Sequence, residues 1–209
     1  MTGGIQMIGL IDYGVANLGS MRNMLRRMGV ENDLVGTPEA LLKVDKLILP
    51  GIGAYDHGVE QLADRGLIDA LKRRVVEDRV PILGVCLGMQ LLGLQSAEGV
   101  RQGFGLIDAR CERFQPDSAA RLRVPRMGWN DLESVRQSPI LNGIDASARF
   151  YFVHSYHVVC SNPGDVLATV NYGIRFTALI QRGHIYGAQF HPEKSHRFGM
   201  RILQNFAGL

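Results

Sequence analysis

Through the first half of the chain, short apolar runs alternate with stretches of helical period. Met7 to Ile11 is a compact run of the length of a buried strand. Beyond it, Leu18, Met21, Leu25 and Met28 recur at three- and four-residue steps and predict a helix over 17–28, with Gly29 placed to stop it. A short strand near Leu34 and Val35 follows, then a buried strand from Lys46 to Leu49. Leu62, Leu67, Ala70 and Leu71 predict one helix from Val59 to Val76, and Pro81 precedes a strand from Ile82 to Val85. Met89 to Leu94 continues as a helix. This alternation is the pattern of a parallel sheet covered by helices, an α/β fold.

The second half changes character. Leu106 to Phe114, Phe150 to Val153, His157 to Val159, Val166 to Val170, Thr177 to Ile180 and Ile185 to Gln189 read as strands joined by short turns, and a closing helix runs from about Ser195 to Phe206. No Pro/Gly/Ser-rich linker or internal repeat divides the chain. A single core commonly holds about 200–250 residues, so one domain is expected over 1–209.

Composition narrows the function classes. Hydrophobic residues make up 46% and charged residues 21%, as in soluble globular chains, and the net charge is only +3. The basic residues are scattered, which makes nucleic acid a poor partner. No run approaches the roughly 20 apolar residues that cross a bilayer, and Met1 to Gln6 lack the cationic start of an export signal, so a cytoplasmic protein is expected. Cys86, Cys111 and Cys160 stand at unrelated spacings, which suits reduced thiols rather than a disulfide framework or metal site.

One of these cysteines has a reactive setting. Gly84-Val85-Cys86-Leu87-Gly88 has the G-x-nucleophile-x-G form, in which flanking glycines permit a sharp strand-to-helix elbow. A thiol at a helix start feels the positive dipole and free backbone N–H groups, which favour thiolate. The alternative for Cys86 is a buried core cysteine. A thiolate nucleophile needs a base and a group to orient the base, and His191-Pro192-Glu193 offers both just past a strand end. On its own that tripeptide also reads as a surface turn. Pro50-Gly51-Ile52-Gly53 lies at another strand end, where Ile52 N–H and Leu87 N–H are candidate donors to an oxyanion. His154, His157 and Cys160 recur every three residues, but alternate strand faces would separate the two histidines, and no metal is expected. Trp129, the lone tryptophan, reads as a packing residue, or as an anchor if it lies at a partner surface.

Taken together these residues resemble the class I (triad) glutamine amidotransferases, and among them the glutaminase subunits of imidazole glycerol phosphate synthase. The resemblance covers almost the whole chain. It is carried by Ile11-Asp12-Tyr13-Gly14 with Asn17-Leu18, Pro50 to Gly53, Gly84 to Gln90, Pro125 to Asn130, Tyr151 to Tyr156 and Gln189 to Ser195. It implies a three-layer, flavodoxin-like fold with a mostly parallel central sheet and a more antiparallel second half. It also implies Cys86 as nucleophile, His191 as general base and acid, and Glu193 as the residue orienting His191. Gln90 and Ser155 would help hold L-glutamine, and Gly51, Ile52, Gly53 and Leu87 would form the oxyanion hole, with no cofactor. The implied partner is a (β/α)₈-barrel cyclase subunit that receives ammonia and forms imidazole glycerol phosphate and an aminoimidazole carboxamide ribotide.

The chain departs from the family pattern at Arg126, where a histidine is usual. Similar amidotransferases supply ammonia for amidino groups on bacterial surface sugars, and the 195–200 segment resembles theirs. A cysteine peptidase or γ-glutamyl hydrolase would share the elbow and histidine, and a non-catalytic interaction module could descend from the same fold.

Overall fold

A computed structural model describes residues 6–115, 122–134 and 136–209; the first five residues, on which the export reading partly rests, lie outside them. The first half builds β1 (Ile8–Ile11), α1 (Leu18–Arg27), β2 (Asn32–Val35), β3 (Lys46–Gly51), α2 (Tyr55–Asp64), α3 (Leu67–Val76), β4 (Ile82–Cys86) and α4 (Leu87–Leu91). The second half adds β5 (Gln95–Ser96), β6 (Ala109–Arg113), β7 (Arg126–Asp131), β8 (Glu133–Ser134), β9 (Arg149–His154) and β10 (Tyr156–Cys160). It closes with β11 (Val166–Tyr172), β12 (Ile174–Arg182), β13 (Ile185–Ala188) and α5 (His196–Ala207).

Eight strands form the central sheet in the order β2-β1-β3-β4-β13-β12-β11-β8. The first five run parallel, and β12, β11 and β8 are antiparallel. Parallel strands covered on both faces read as unbroken apolar runs, and β3 shows why: Leu47 and Leu49 enter one core while Ile48 enters the other. The first core takes Val59 and Leu62 of α2, Leu67, Leu71 and Val75 of α3, and Leu87 and Leu91 of α4. The second takes Met21 and Leu25 of α1 and Ile202, Leu203 and Phe206 of α5. Helix, sheet and helix are the three layers expected. Burying each of those α5 side chains contributes roughly 1.5–3 kcal/mol.

Several boundaries differ from the sequence reading. The helix expected over 59–76 is two helices, because Gly66 adopts φ 65° in the left-handed region and stops the first. The helix after Cys86 begins at Leu87 and ends at Leu91, only five residues long. The strand expected from Leu106 starts at Ala109. The two-residue β5 and β8 and the six-residue β7 were not foreseen, so the connections in the second half are less uniform than expected. Strand β7, with β9, forms a small separate sheet that mixes polar and apolar residues, and its alternation is set by what each face meets.

Candidate active site

Strand β4 delivers Cys86 to the sheet's carboxyl end, where ligands bind in open α/β sheets. Cys86 has φ 53°, strained for a residue with a side chain, and α4 starts at the next residue. The flanking glycines are obligatory on contact grounds: a Cβ at Gly88 would overlap the Leu49 carbonyl oxygen, and one at Gly84 would come within 2.6 Å of the Gly88 oxygen. This is the elbow expected from G-x-C-x-G. The helix is short, and its backbone rather than its length frames the sulfur.

Strand β13 lies beside β4 with Ala188 opposite Val85, so the segment just past it meets the cysteine. His191 N–H donates to the Tyr151 carbonyl at 2.9 Å, while the Ser195 hydroxyl donates to the His191 carbonyl at 2.7 Å and accepts from Tyr151 N–H at 3.0 Å. These bonds fix the turn that Pro192 begins. The imidazole Nδ1 then donates to Glu193 Oε1 at 2.8 Å, with both side chains almost wholly buried. His191 Nε2 has no hydrogen-bond partner among the described residues. Burial works against a charged ring, but the neighbouring Cys86 sulfur and the Glu193 carboxylate outweigh it and lift His191 to about 10.

Cys86 and His191 line one cavity of about 360 Å³, within the roughly 300–1,000 Å³ of small-molecule sites. The lining also includes the expected Ile52, Gly53, Leu87, Gln90 and Ser155. Gly51 is not among the lining residues but ends β3 opposite Cys86. Ile52 N–H donates to the Val15 carbonyl at 2.9 Å, so this donor is not offered to the cavity in the arrangement seen. Ser155 sits between β9 and β10 with its carbonyl accepting from Phe114 N–H at 2.9 Å.

Sequence reasoning assigned no role to three further residues at the site. Glu98 lines the cavity, and its Oε2 accepts from Tyr55 N–H at 3.0 Å. Its loop is clamped by Asp56, whose carboxylate accepts from Val100 N–H and Arg101 N–H at 3.0 Å each; those bonds hold it below the usual carboxylate range. Nothing in the loop's sequence announces this. Lys194 also lines the cavity. Gln189 links the two halves: its Nε2 donates to Cys86 Sγ at 3.8 Å and its Oε1 accepts from Gln90 Nε2 at 3.2 Å. Its alternation with His191 along the chain was the available signal.

Other expectations are corrected. His154 ends β9 and His157 lies within β10, yet both rings pack on Phe114, at 5.1 and 4.8 Å, because Ser155 breaks the run into two strands. Face alternation therefore did not separate them. Burial, more than Arg126 and the neighbouring histidines, pushes His154 down to about 3 and keeps it neutral. No group of three or more metal-ligating residues occurs among the described residues. Trp129 is no core residue: it is 43% exposed, with its ring stacked on His196 at 5.3 Å. Arg126 is buried between the Phe152 and Tyr172 rings, at 4.6 and 5.0 Å, and donates to the Gly128 carbonyl.

The family model for class I glutamine amidotransferases matches residues 9–208. The chain belongs to that family. This amidotransferase is 47% identical over 203 residues to the imidazole glycerol phosphate synthase subunit HisH 2 of Pseudomonas aeruginosa, covering 97% of this chain and 100% of that one. It is 42% identical to the HisH 2 subunit of Methanococcus maripaludis, covering 96% and 98%. A solved glutamine amidotransferase superposes with a TM-score of 0.75 at 24% identity, over 99% of this chain and 100% of that one. PurLQS from Thermotoga maritima gives 0.75 at 17% identity, over 98% and 99%. These structures bear out the class I amidotransferase fold.

Proposed function

We propose that the chain is the glutaminase subunit of an imidazole glycerol phosphate synthase, in which Cys86, His191 and Glu193 release ammonia from L-glutamine. The observation that carries the chemistry is the buried His191–Glu193 bond, which leaves Nε2 without a partner among the described residues on a ring that lines the same cavity as Cys86. The Cys86 thiolate attacks the side-chain amide carbon, forming an S–C bond. As the C–N bond breaks, His191 gives its proton to the departing nitrogen, which leaves as ammonia. Water then attacks the glutamyl thioester, His191 takes its proton, and the sulfur leaves as thiolate with glutamate released.

Gln90 and Ser155 hold the glutamine. Glu98, a carboxylate that lines the cavity together with Gln90, suits the substrate's α-ammonium group. Leu87 N–H, and Ile52 N–H once turned, with Gly51 and Gly53 as hinges, would meet the oxyanion. No metal or cofactor takes part.

The ammonia acceptor is a (β/α)₈-barrel cyclase subunit that produces imidazole glycerol phosphate and the aminoimidazole carboxamide ribotide. The relatives' names support this, and so does the surface. Ile52, which lines the cavity, is 47% exposed; Met127, in register with cavity-lining Val153, is 63% exposed, and Trp129, two residues along the same strand, is 43% exposed. Exposed apolar side chains of this size suit a partner. The subunit works as one domain over 1–209 in the cytoplasm; no helix of the described residues is long and apolar enough to cross a membrane.

Arg126 favours a second reading, in which the same glutaminase feeds amidino-sugar synthesis. Cys86→Ala should abolish glutamine-dependent turnover in the paired enzyme while turnover from ammonium salts persists. Glutamine use surviving that substitution would sink the mechanism. Assaying the complex with the phosphoribosyl acceptor and with a sugar acceptor separates the two readings.

A further inference from the structure

Tyr13 follows β1, is wholly buried, and its hydroxyl has no hydrogen-bond partner among the described residues. Buried tyrosines usually pair their O–H, because an unpaired donor loses water and gains nothing in return. Its position supplies a reason for this one. A Cβ built on Gly51 would overlap the Tyr13 hydroxyl oxygen, so that oxygen rests against the start of the Gly51 to Gly53 turn. The same point lies 3.0 Å from Leu87 Cβ and 3.2 Å from the Gly88 nitrogen, which encloses the phenol between the turn and the elbow. Burial first, and the negative charge of Cys86 second, push the phenol far above its ordinary range, so it keeps its proton as a donor.

Ile52 N–H is held by the Val15 carbonyl, two residues beyond Tyr13. Aiming that N–H at the oxyanion requires the Gly51–Ile52 peptide to rotate, and because the peptide is planar its carbonyl swings with it. A contact shifts such an equilibrium only if it bonds the two arrangements differently. A donor that is idle in one and paired in the other meets that condition.

We propose that Tyr13 is a positioning residue whose hydroxyl, idle in the resting turn, donates to the Gly51 carbonyl oxygen as the peptide rotates and so favours the arrangement with Ile52 N–H aimed at the oxyanion. The inference rests on the glutaminase reading above. It separates from a merely structural role by sign. A hydroxyl that supports the resting fold is missed when removed, whereas removing an unpaired one leaves the fold as stable or more so.

The test compares Tyr13→Phe with the unmodified chain and with Cys86→Ala, each in complex with the cyclase subunit and its acceptor. For Tyr13→Phe, glutamine-dependent kcat should fall about five- to tenfold, the worth of one neutral hydrogen bond. KM for glutamine and turnover from ammonium salts should hold, and the melting temperature should be equal or higher. Unchanged kcat, or a lower kcat accompanied by a lower melting temperature, overturns the role of Tyr13. Glutamine turnover by Cys86→Ala would instead overturn the glutaminase reading, and this inference with it.

Discussion

Nδ1 of His191 donates to Oε1 of Glu193 at 2.8 Å, and that bond fixes which ring nitrogen is left for the cysteine. With Nδ1 carrying a proton toward the carboxylate, Nε2 is the atom that, in the proposed mechanism, exchanges a proton with sulfur, leaving group and water. The turn begun by Pro192 holds both side chains within three residues of each other.

Glu193→Gln keeps the shape but removes the charge that orients and supports the protonated ring. Glutamine-dependent kcat should drop by roughly 10⁴-fold, as for orienting carboxylates of other triads. Steady-state assays with glutamine and with ammonium salts check this, and equal losses with both nitrogen sources would contradict it.

His191 is lifted to about 10, above its ordinary 6.5, by partners that must overcome the opposing effect of burial. A raised value in the folded state means that folding favours the protonated ring. The associated stability is complete below about pH 6.5 and is lost as pH rises through about 10. The Cys86→Ala variant loses the sulfur's share, so the His191 ring resonance should titrate at lower pH in that variant than in the unmodified chain. NMR titration of both proteins is the check; identical midpoints would refute the coupling.

Ile52 N–H is bonded to the Val15 carbonyl, so the proposed oxyanion hole is short of one donor in this arrangement. Free subunit should therefore hydrolyse glutamine slowly. Docking of the cyclase with its ligand should raise turnover by roughly 10²–10³-fold, the effect of one oxyanion donor. Hydrogen exchange at the Ile52 amide should quicken at the same time. Comparable turnover with and without the partner would exclude this activation.

At Gly88 the neighbouring backbone leaves no space for a side chain, because a Cβ would overlap the Leu49 carbonyl oxygen. Gly88→Ala should push α4 off the sheet and destabilise the protein by roughly 3 kcal/mol or more, in the range of severe backbone clashes. Chemical denaturation measures the loss. A fully stable variant with intact activity would mean that the elbow can rearrange.

Local patterns were legible wherever a short stretch dictates its own geometry. The apolar runs of β1, β3 and β4 follow from burial on both faces, and the elbow follows from two glycines around Cys86. The break at Gly66 was less visible, since the apolar period continues across it and only the backbone conformation interrupts the helix. The small sheet of β7 and β9 was missed on one side because Arg126, buried between aromatic rings, reads in sequence as an exposed residue.

By itself the sequence determined the alternation of strands and helices, the cysteine elbow and the three residue types of the proposed triad, since each depends on near neighbours in the chain. Tertiary structure alone decided which distant groups meet. Strand order sets β13 beside β4 and brings Gln189 to the sulfur of Cys86 across 103 residues, while a clamp by Asp56 carries Glu98 to the cavity. It also decided that Ile52 N–H binds Val15 and that the Tyr13 hydroxyl has no partner among the described residues. Hydrogen-bond direction and enclosure arise from packing between segments, which residue spacing does not encode.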